Sequence, residues 1–386
     1  MNKLNVLFLT SWYPNKNHPT LGNFIQRHAE ALHPHVNLKV LHICSNSSQK
    51  NKFEVENSTI NNVDTTIVYY KKVQHFSIFN PIIKFFRYKR ALKIGLSKLT
   101  KEFNINIAHC HVAYPAGISA QWLLKKQHIP YVLSEHWTLF LKEETYKTNS
   151  FLIRKSIEQT LNKASYILPV SKSLSNALQK RTTNQNVKVI HNVVNTELFA
   201  PTASAKEKTT ILHVSHMDKD HKNPYGMLQA IKNVSLIRND FIFKIVSDEN
   251  HENTRNIINE LNINQDLIQL EHTKTPIQIA KDYNTADFFI IFSNIETFSV
   301  VMAEAWSAGL PIIYSKCGGL TDIQDPKLGI QVEPKNVKQL ENAIISMLDN
   351  HKTYDKPYIS NFAHSKFNTT EIALQFIDIY NKIINN

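Results

Sequence analysis

The 386-residue chain carries 44 lysines and arginines against 32 acidic residues, a formal net charge of +12, with 42% hydrophobic and 20% charged residues. That length exceeds one ordinary core and suits two α/β domains of a soluble globular protein, while the positive charge asks for anionic partners. Three widely spaced cysteines, Cys44, Cys110 and Cys317, give neither a disulfide framework nor a structural-zinc spacing, which fits a reducing compartment.

The N-terminus carries Lys3 and the short apolar run 6–9, too brief for a signal-peptide core, and no run of about eighteen apolar residues follows, so neither a leader nor a transmembrane helix is expected. Residues 5–10 read as the first strand. The loop after it, 11–21, lacks the Gly-x-Gly-x-x-Gly turn of a nicotinamide or flavin enzyme, which argues against dinucleotide oxidoreduction. Asn23 is expected to cap a helix with an apolar stripe of Phe24, Ala31 and Leu32 and with His28 on the same side. Gly22, lacking a side chain, would let a ligand approach the helix start. Strands are expected near 38–44 and 66–70. Residues 78–99 mix Phe79, Ile82, Ile83, Phe85 and Phe86 with Lys84, Arg87, Lys89, Arg90 and Lys93, a basic amphipathic helix suited either to ordinary packing or to an anionic bilayer.

A strand from about 104 ends on Ile107-Ala108-His109-Cys110-His111. Side chains at the C-terminal end of a parallel strand face the ligand crevice, and imidazole both donates and accepts hydrogen bonds near neutral pH. Two histidines one residue apart could open a metal site, but no third ligand at a telling spacing follows. The strand 130–133 ends on Ser134-Glu135-His136-Trp137, which makes Glu135 and His136 acceptor-side candidates with a general base among them. After strands at 165–170 and 187–191, the polar, small-residue stretch 199–208 reads as the interdomain linker.

A second domain restarts with the strand 210–215 and the loop Ser215-His216-Met217-Asp218-Lys219-Asp220-His221-Lys222. Asp218-Lys219-Asp220 sits in a lysine-rich loop and reads as surface charge rather than as a metal motif. Strands at 241–246 and 267–270 lead to His272-Thr273-Lys274. The stretch 287–319 then reads as strand, loop, helix, strand, a single βαβ unit. Glu296 lies in its loop and Glu304 inside its apolar helix, where a carboxylate needs a partner. Ser299 is a plausible N-cap that leaves the amides of Val300 and Val301 at the positive end of the helix dipole. Such a start, with an acidic side chain on each flank, suits a diphosphate between two hydroxyl-rich rings. Helices near 337–349 and 369–384 complete the chain.

Together with Phe298, Gly309, Pro311 and Gly318-Gly319, the pair Glu296 and Glu304 resembles the signature of the retaining nucleotide-sugar glycosyltransferases of family 4, the group 1 glycosyltransferases. The resemblance implies an α/β GT-B fold, two Rossmann-like doubly wound domains facing across a cleft. Residues 1–200 would form the acceptor-side domain, 201–368 the donor-binding domain, and 369–386 a helix crossing back to the first. It implies that Glu296 holds hydroxyls of the donor sugar, that Glu304 holds the ribose diol, and that amides around Phe298, Ser299 and Val300 meet the diphosphate and sugar. Lys222 would clamp the diphosphate, with His216 standing where the family usually has an arginine; Thr273 would line the base pocket. By the same resemblance Gly22 belongs to the loop that contacts donor and acceptor, and His111 contacts the reacting sugar or acceptor, so that His111 and Glu296 are the catalytic candidates. Where the family commonly continues Asn-Gly-Val-Asp, this chain has Asn192-Val193-Val194-Asn195, which alters the local turn.

The implied activity is transfer of a hexosyl group from a nucleotide sugar to an acceptor glycan or lipid-linked saccharide, with retention, without cofactor and without an obligatory metal. A cytoplasmic enzyme of surface polysaccharide or glycolipid synthesis, peripheral on an anionic inner membrane face, is the expected setting. A GT-B nucleotide-sugar epimerase is the enzymatic rival. A basic nucleic-acid-binding protein is the other, but the cations are dispersed and no nucleic-acid module appears.

Overall fold

A computed structural model describes residues 3–72, 80–202, 208–272 and 275–385. The chain forms two compact units, Met1–Val193 with Ile372–Asn386, and Val194–Glu371.

The first unit contains β1 (Asn5–Thr10), α1 (Asn23–Leu32), β2 (Asn37–Asn46), β3 (Phe53–Ile60), β4 (Val63–Lys71), α2 (Asn80–Leu99), β5 (Ile107–His111), α3 (Ala116–Gln127), β6 (Tyr131–Glu135), α4 (Glu143–Thr148), α5 (Phe151–Lys163), β7 (Tyr166–Pro169) and α6 (Lys172–Gln179). Its sheet runs β3-β4-β2-β1-β5-β6-β7, parallel throughout except for the edge strand β3. The short apolar runs of β1, β5 and β6 are buried on both faces, as central parallel strands must be. β3 was not expected from the sequence; its mixed polar pattern suits an exposed edge, and Asn61 and Asn62, both at positive φ, turn it into β4. The strand expected at 187–191 reduces to an isolated bridge between Ile167 and Val187.

The second unit contains β8 (Thr209–Val214), α7 (Lys219–Lys222), α8 (Pro224–Ser235), β9 (Phe241–Ser247), α9 (Glu252–Glu260), β10 (Ile268–His272), α10 (Pro276–Thr285), β11 (Phe288–Ile291), α11 (Val300–Ser307), β12 (Ile312–Ser315), β13 (Gly329–Val332), α12 (Val337–Asn350) and α13 (Lys356–Phe367). Its all-parallel sheet runs β10-β9-β8-β11-β12-β13. Phe243, Phe288, Ile290 and Ile313 from the sheet pack with Met227, Ile231, Leu340 and Ile344 from the helices. Phe199, expected in the linker, is instead buried against Tyr283 in this unit, and the division falls after Val193; residues 203–207 of the expected linker lie outside the described residues.

The final helix α14 (Thr369–Ile384) sends Ile372, Ala373, Phe376, Ile379 and Tyr380 into the core of the first unit, among Phe8, Ile25, Leu32 and Val132. In each sheet the order of strands reverses beside the unit's first strand, between β1 and β5 and between β8 and β11. Crevices for ligands open outside the carboxyl ends of strands at such reversals.

Candidate functional site

In the second unit the loops at the reversal are those after β8 and β11, and they hold His216, Lys222, Glu296 and Ser299. Asp218 starts α7 by accepting the amide of His221 at 2.8 Å and lies 2.7 Å from its Nδ1, so this acidic residue is committed to a helix cap, in keeping with a surface role. The loops are stitched together by Asn294, whose amide N–H donates to the carbonyl of His221 at 2.7 Å and whose side chain donates to that of Asp220 at 3.2 Å. This seats the Lys222 ammonium on the Glu296 carboxylate, which also accepts a hydrogen bond from Ser293 Oγ at 2.9 Å. Both charged side chains are largely buried, 20% and 10% exposed, and close pairing is what makes such burial tolerable. The carbonyl of Glu296 accepts the amide of Gly319 at 2.9 Å. Gly318, at φ +49°, passes so near that a Cβ there would fall 1.8 Å from the same oxygen, so a glycine at 318 is demanded by the backbone of the Glu296 loop.

Ser299 stands at the start of α11 but does not cap it. Its backbone is left-handed (φ 68°, ψ 89°), no side-chain cap bond forms, and its buried Oγ has no protein partner. The start of α11 is therefore left without a side-chain cap at its positive end. Glu304, 4% exposed, finds its partner in the hydroxyl of Tyr283 at 3.1 Å. Phe298 is buried edge-on against Phe367. Behind them Gly309, at φ +74°, ends the helix by donating to the carbonyl of Trp306, and Leu310 donates to that of Ala305. His216 is paired with Asp248 at 2.5 Å; that hydrogen bond raises the imidazole pKa and lowers that of the carboxyl.

In the first unit Gly22, at φ +75°, starts α1 in place of the expected Asn23 cap, and a Cβ there would meet the carbonyl carbon of Trp12 at 2.6 Å. Turn geometry alone thus requires this glycine. His109 is a satisfied core residue, bonded to Tyr380 Oη at 2.5 Å and Ser134 Oγ at 2.8 Å. His111 is fully buried, stacked on His109 at 4.1 Å and close to His28 and His136. Val112 follows at φ +67°, a strained conformation for a β-branched residue, held by its amide on the carbonyl of Ser134 at 2.9 Å. Glu135, weighed as a general base, has no exposed surface. Its carboxylate accepts the amides of Ala113, His136 and Trp137 at 2.8 to 2.9 Å, and burial pushes its pKa up to about 7 against those three bonds. It shapes the loops after β5 and β6.

Two family models match the chain in tandem, Glycosyltransferase Family 4 over residues 21–198 and Glycosyl transferases group 1 over residues 194–361. The chain belongs to the group 1 and family 4 type glycosyltransferases. This glycosyltransferase is 27% identical over 266 residues to an uncharacterized glycosyltransferase of Methanocaldococcus jannaschii, a match spanning 68% of this chain and 70% of the relative. It is 22% identical over 376 residues, 93% of this chain and 92% of the other, to a Bacillus subtilis glycosyltransferase named for teichuronic acid biosynthesis. Its GT-B fold is similar to that of HepE from Anabaena, solved in complex with UDP, with a TM-score of 0.75, 13% identity and coverage of 98% and 100% of the two chains.

Of the residues expected at the glycosyltransferase's donor site, Lys222 and Glu296 touch directly, His216 follows β8 and Ser299 closes the loop after β11. Glu304 and Phe298 are buried in and beside α11, Val300 is its first residue, and Thr273 lies outside the described residues. Sequence reasoning missed Ser293, Tyr283 and Asp248, the groups that hold Glu296, Glu304 and His216. Ser293, three residues before Glu296, carried a local hint; the other two arrive from distant elements. No helix among the described residues is long and apolar enough to cross a membrane.

Proposed function

We propose that this glycosyltransferase moves a hexosyl group from a nucleotide-diphosphate sugar to an acceptor hydroxyl with retention of the anomeric configuration. The observation that carries the reading is the Lys222–Glu296 pair beside the uncapped start of α11, at the reversal of the second sheet. An arriving diphosphate would draw on the Lys222 ammonium and the amides of Val300 and Val301, and Glu296, released in part from Lys222, would accept donor-sugar hydroxyls. Glu304 would take the ribose diol. Protonated His216 adds a second cation, so the leaving diphosphate is stabilised by protein groups and no metal is obligatory. On one face of the sugar the bond from anomeric carbon to phosphate oxygen breaks, the bond to the acceptor oxygen forms, and the acceptor proton passes to the departing phosphate. In the first unit, the loops after β5 and β6 would serve the acceptor side.

The Bacillus relative's name and the net charge favour a glycan or lipid-linked saccharide acceptor in surface polysaccharide or glycolipid synthesis. A thermal-shift panel of nucleotide sugars identifies the donor, a ligand at a hundred times its Kd adding about 2.7 kcal/mol. NMR of the product then reads the anomeric configuration. Inversion would overturn the mechanism; conversion of donor without acceptor would indicate epimerisation.

A further inference from the structure

We propose that the first unit binds a divalent ion of the zinc class on His28, His111 and His136, a function beyond glycosyl transfer. His28 comes from α1, His111 ends β5, and His136 follows β6. One ring nitrogen from each lies within 4.8 Å of the others, and the three side chains are 0%, 0% and 5% exposed. His111 Nδ1 and His136 Nε2 approach each other at 3.4 Å. That leaves both nitrogens of His28 and Nε2 of His111 without a protein partner, while the Asn192 side chain lies against His136. Unsatisfied buried polar atoms number only a few per hundred residues, so three on two adjoining rings call for a guest.

The adjoining groups narrow its chemistry. His109 stacks on His111 yet has both nitrogens occupied, so this part of the core does satisfy a histidine where no guest is served. The Glu135 carboxylate is spent on three backbone amides, so the donor set is neutral imidazole. Imidazoles without a carboxylate select zinc, cobalt, nickel or copper over magnesium or calcium. The ion would tie α1 to the ends of β5 and β6 and so hold the loops that leave them.

The test is equilibrium dialysis of the full chain, stripped with chelator, against Co2+ alone. One Co2+ per chain with the intense visible absorption of a tetrahedral site, bleached by Zn2+, is expected. His28→Gln and His136→Gln should each lower the affinity at least about tenfold, and His35→Gln, on the surface, should leave it unchanged. Wild-type protein that takes up no cobalt, or takes it up only with a weak octahedral spectrum indifferent to both buried substitutions, would overturn the proposal.

Discussion

Lys222 and Glu296 neutralise each other, so neither side chain can be removed without stranding the other in a largely buried loop. Lys222→Gln is expected to lower kcat/KM for the donor by about 10²–10³-fold and also to lower Tm, because an unpaired buried charge destabilises strongly. The double variant Lys222→Gln/Glu296→Gln should recover Tm but not turnover; calorimetry beside steady-state kinetics separates the two effects. His216 makes a different prediction. Its pKa is raised by Asp248, so its positive charge is present below that raised value and lost as pH rises through it. Donor affinity should weaken over that rise, Asp248→Asn should shift the fall to lower pH, and His216→Arg should flatten it; titration calorimetry with the donor at several pH values checks all three. A His216→Arg variant that kept the wild-type pH dependence would remove His216 from the diphosphate clamp.

Among the elements, α2 stands out because its first turns are not packed. Ile82, Ile83, Phe85 and Phe86 are exposed, Phe86 at 65%, whereas Tyr88, Ala91, Leu92 and Leu96 bury the rest of the helix. Exposed Lys84, Arg90 and Lys93 lie along the same segment, and Lys89 sits over the Phe85 ring. Aromatics that insert and cations that reach headgroups are what an anionic bilayer recognises, each cation contributing about 1 kcal/mol near such a surface. We therefore expect sedimentation with anionic but not neutral liposomes, reduced about fivefold by each of Lys84→Gln and Lys93→Gln and lost in Ile82→Asp/Phe86→Asp. Equal sedimentation with both lipid compositions would rule the membrane role out. The expected residue Phe79 at the head of this helix lies outside the described residues.

For the whole molecule, each unit carries a buried neutral imidazole in its sheet. His42 donates to the carbonyl of Thr10 in the first, His213 to that of Ile290 in the second, and burial lowers both pKa values from 6.5 to about 4. The unfolded chain binds these protons at higher pH than the folded one, so the stability they contribute is present above pH 6.5 and lost as pH falls towards 4. The loss reaches on the order of 3 kcal/mol for each by pH 4. Denaturant midpoints measured from pH 7 to 4 should fall accordingly, and His42→Gln and His213→Gln should each flatten the fall. A midpoint independent of pH over that range would contradict the assignment of both rings as neutral.

Much of this was legible in the residues themselves. Short apolar runs between polar loops specify buried parallel strands, because only a sheet covered on both faces hides such runs, and the grouping of Glu296, Glu304, Gly309 and Gly318-Gly319 pointed to one loop and helix. Local geometry was less legible: Gly22 and Ser299 adopt left-handed backbones that displace the expected caps at Asn23 and Ser299, and an Asn-Asn turn builds an edge strand whose polar pattern resembles a loop. What only the tertiary structure decided is partnership. Lys222 with Glu296, Tyr283 with Glu304, Asp248 with His216, and the meeting of His28, His111 and His136 each join residues from different elements, and the distance along the chain at which they meet is set by sheet order, not by any spacing a sequence displays.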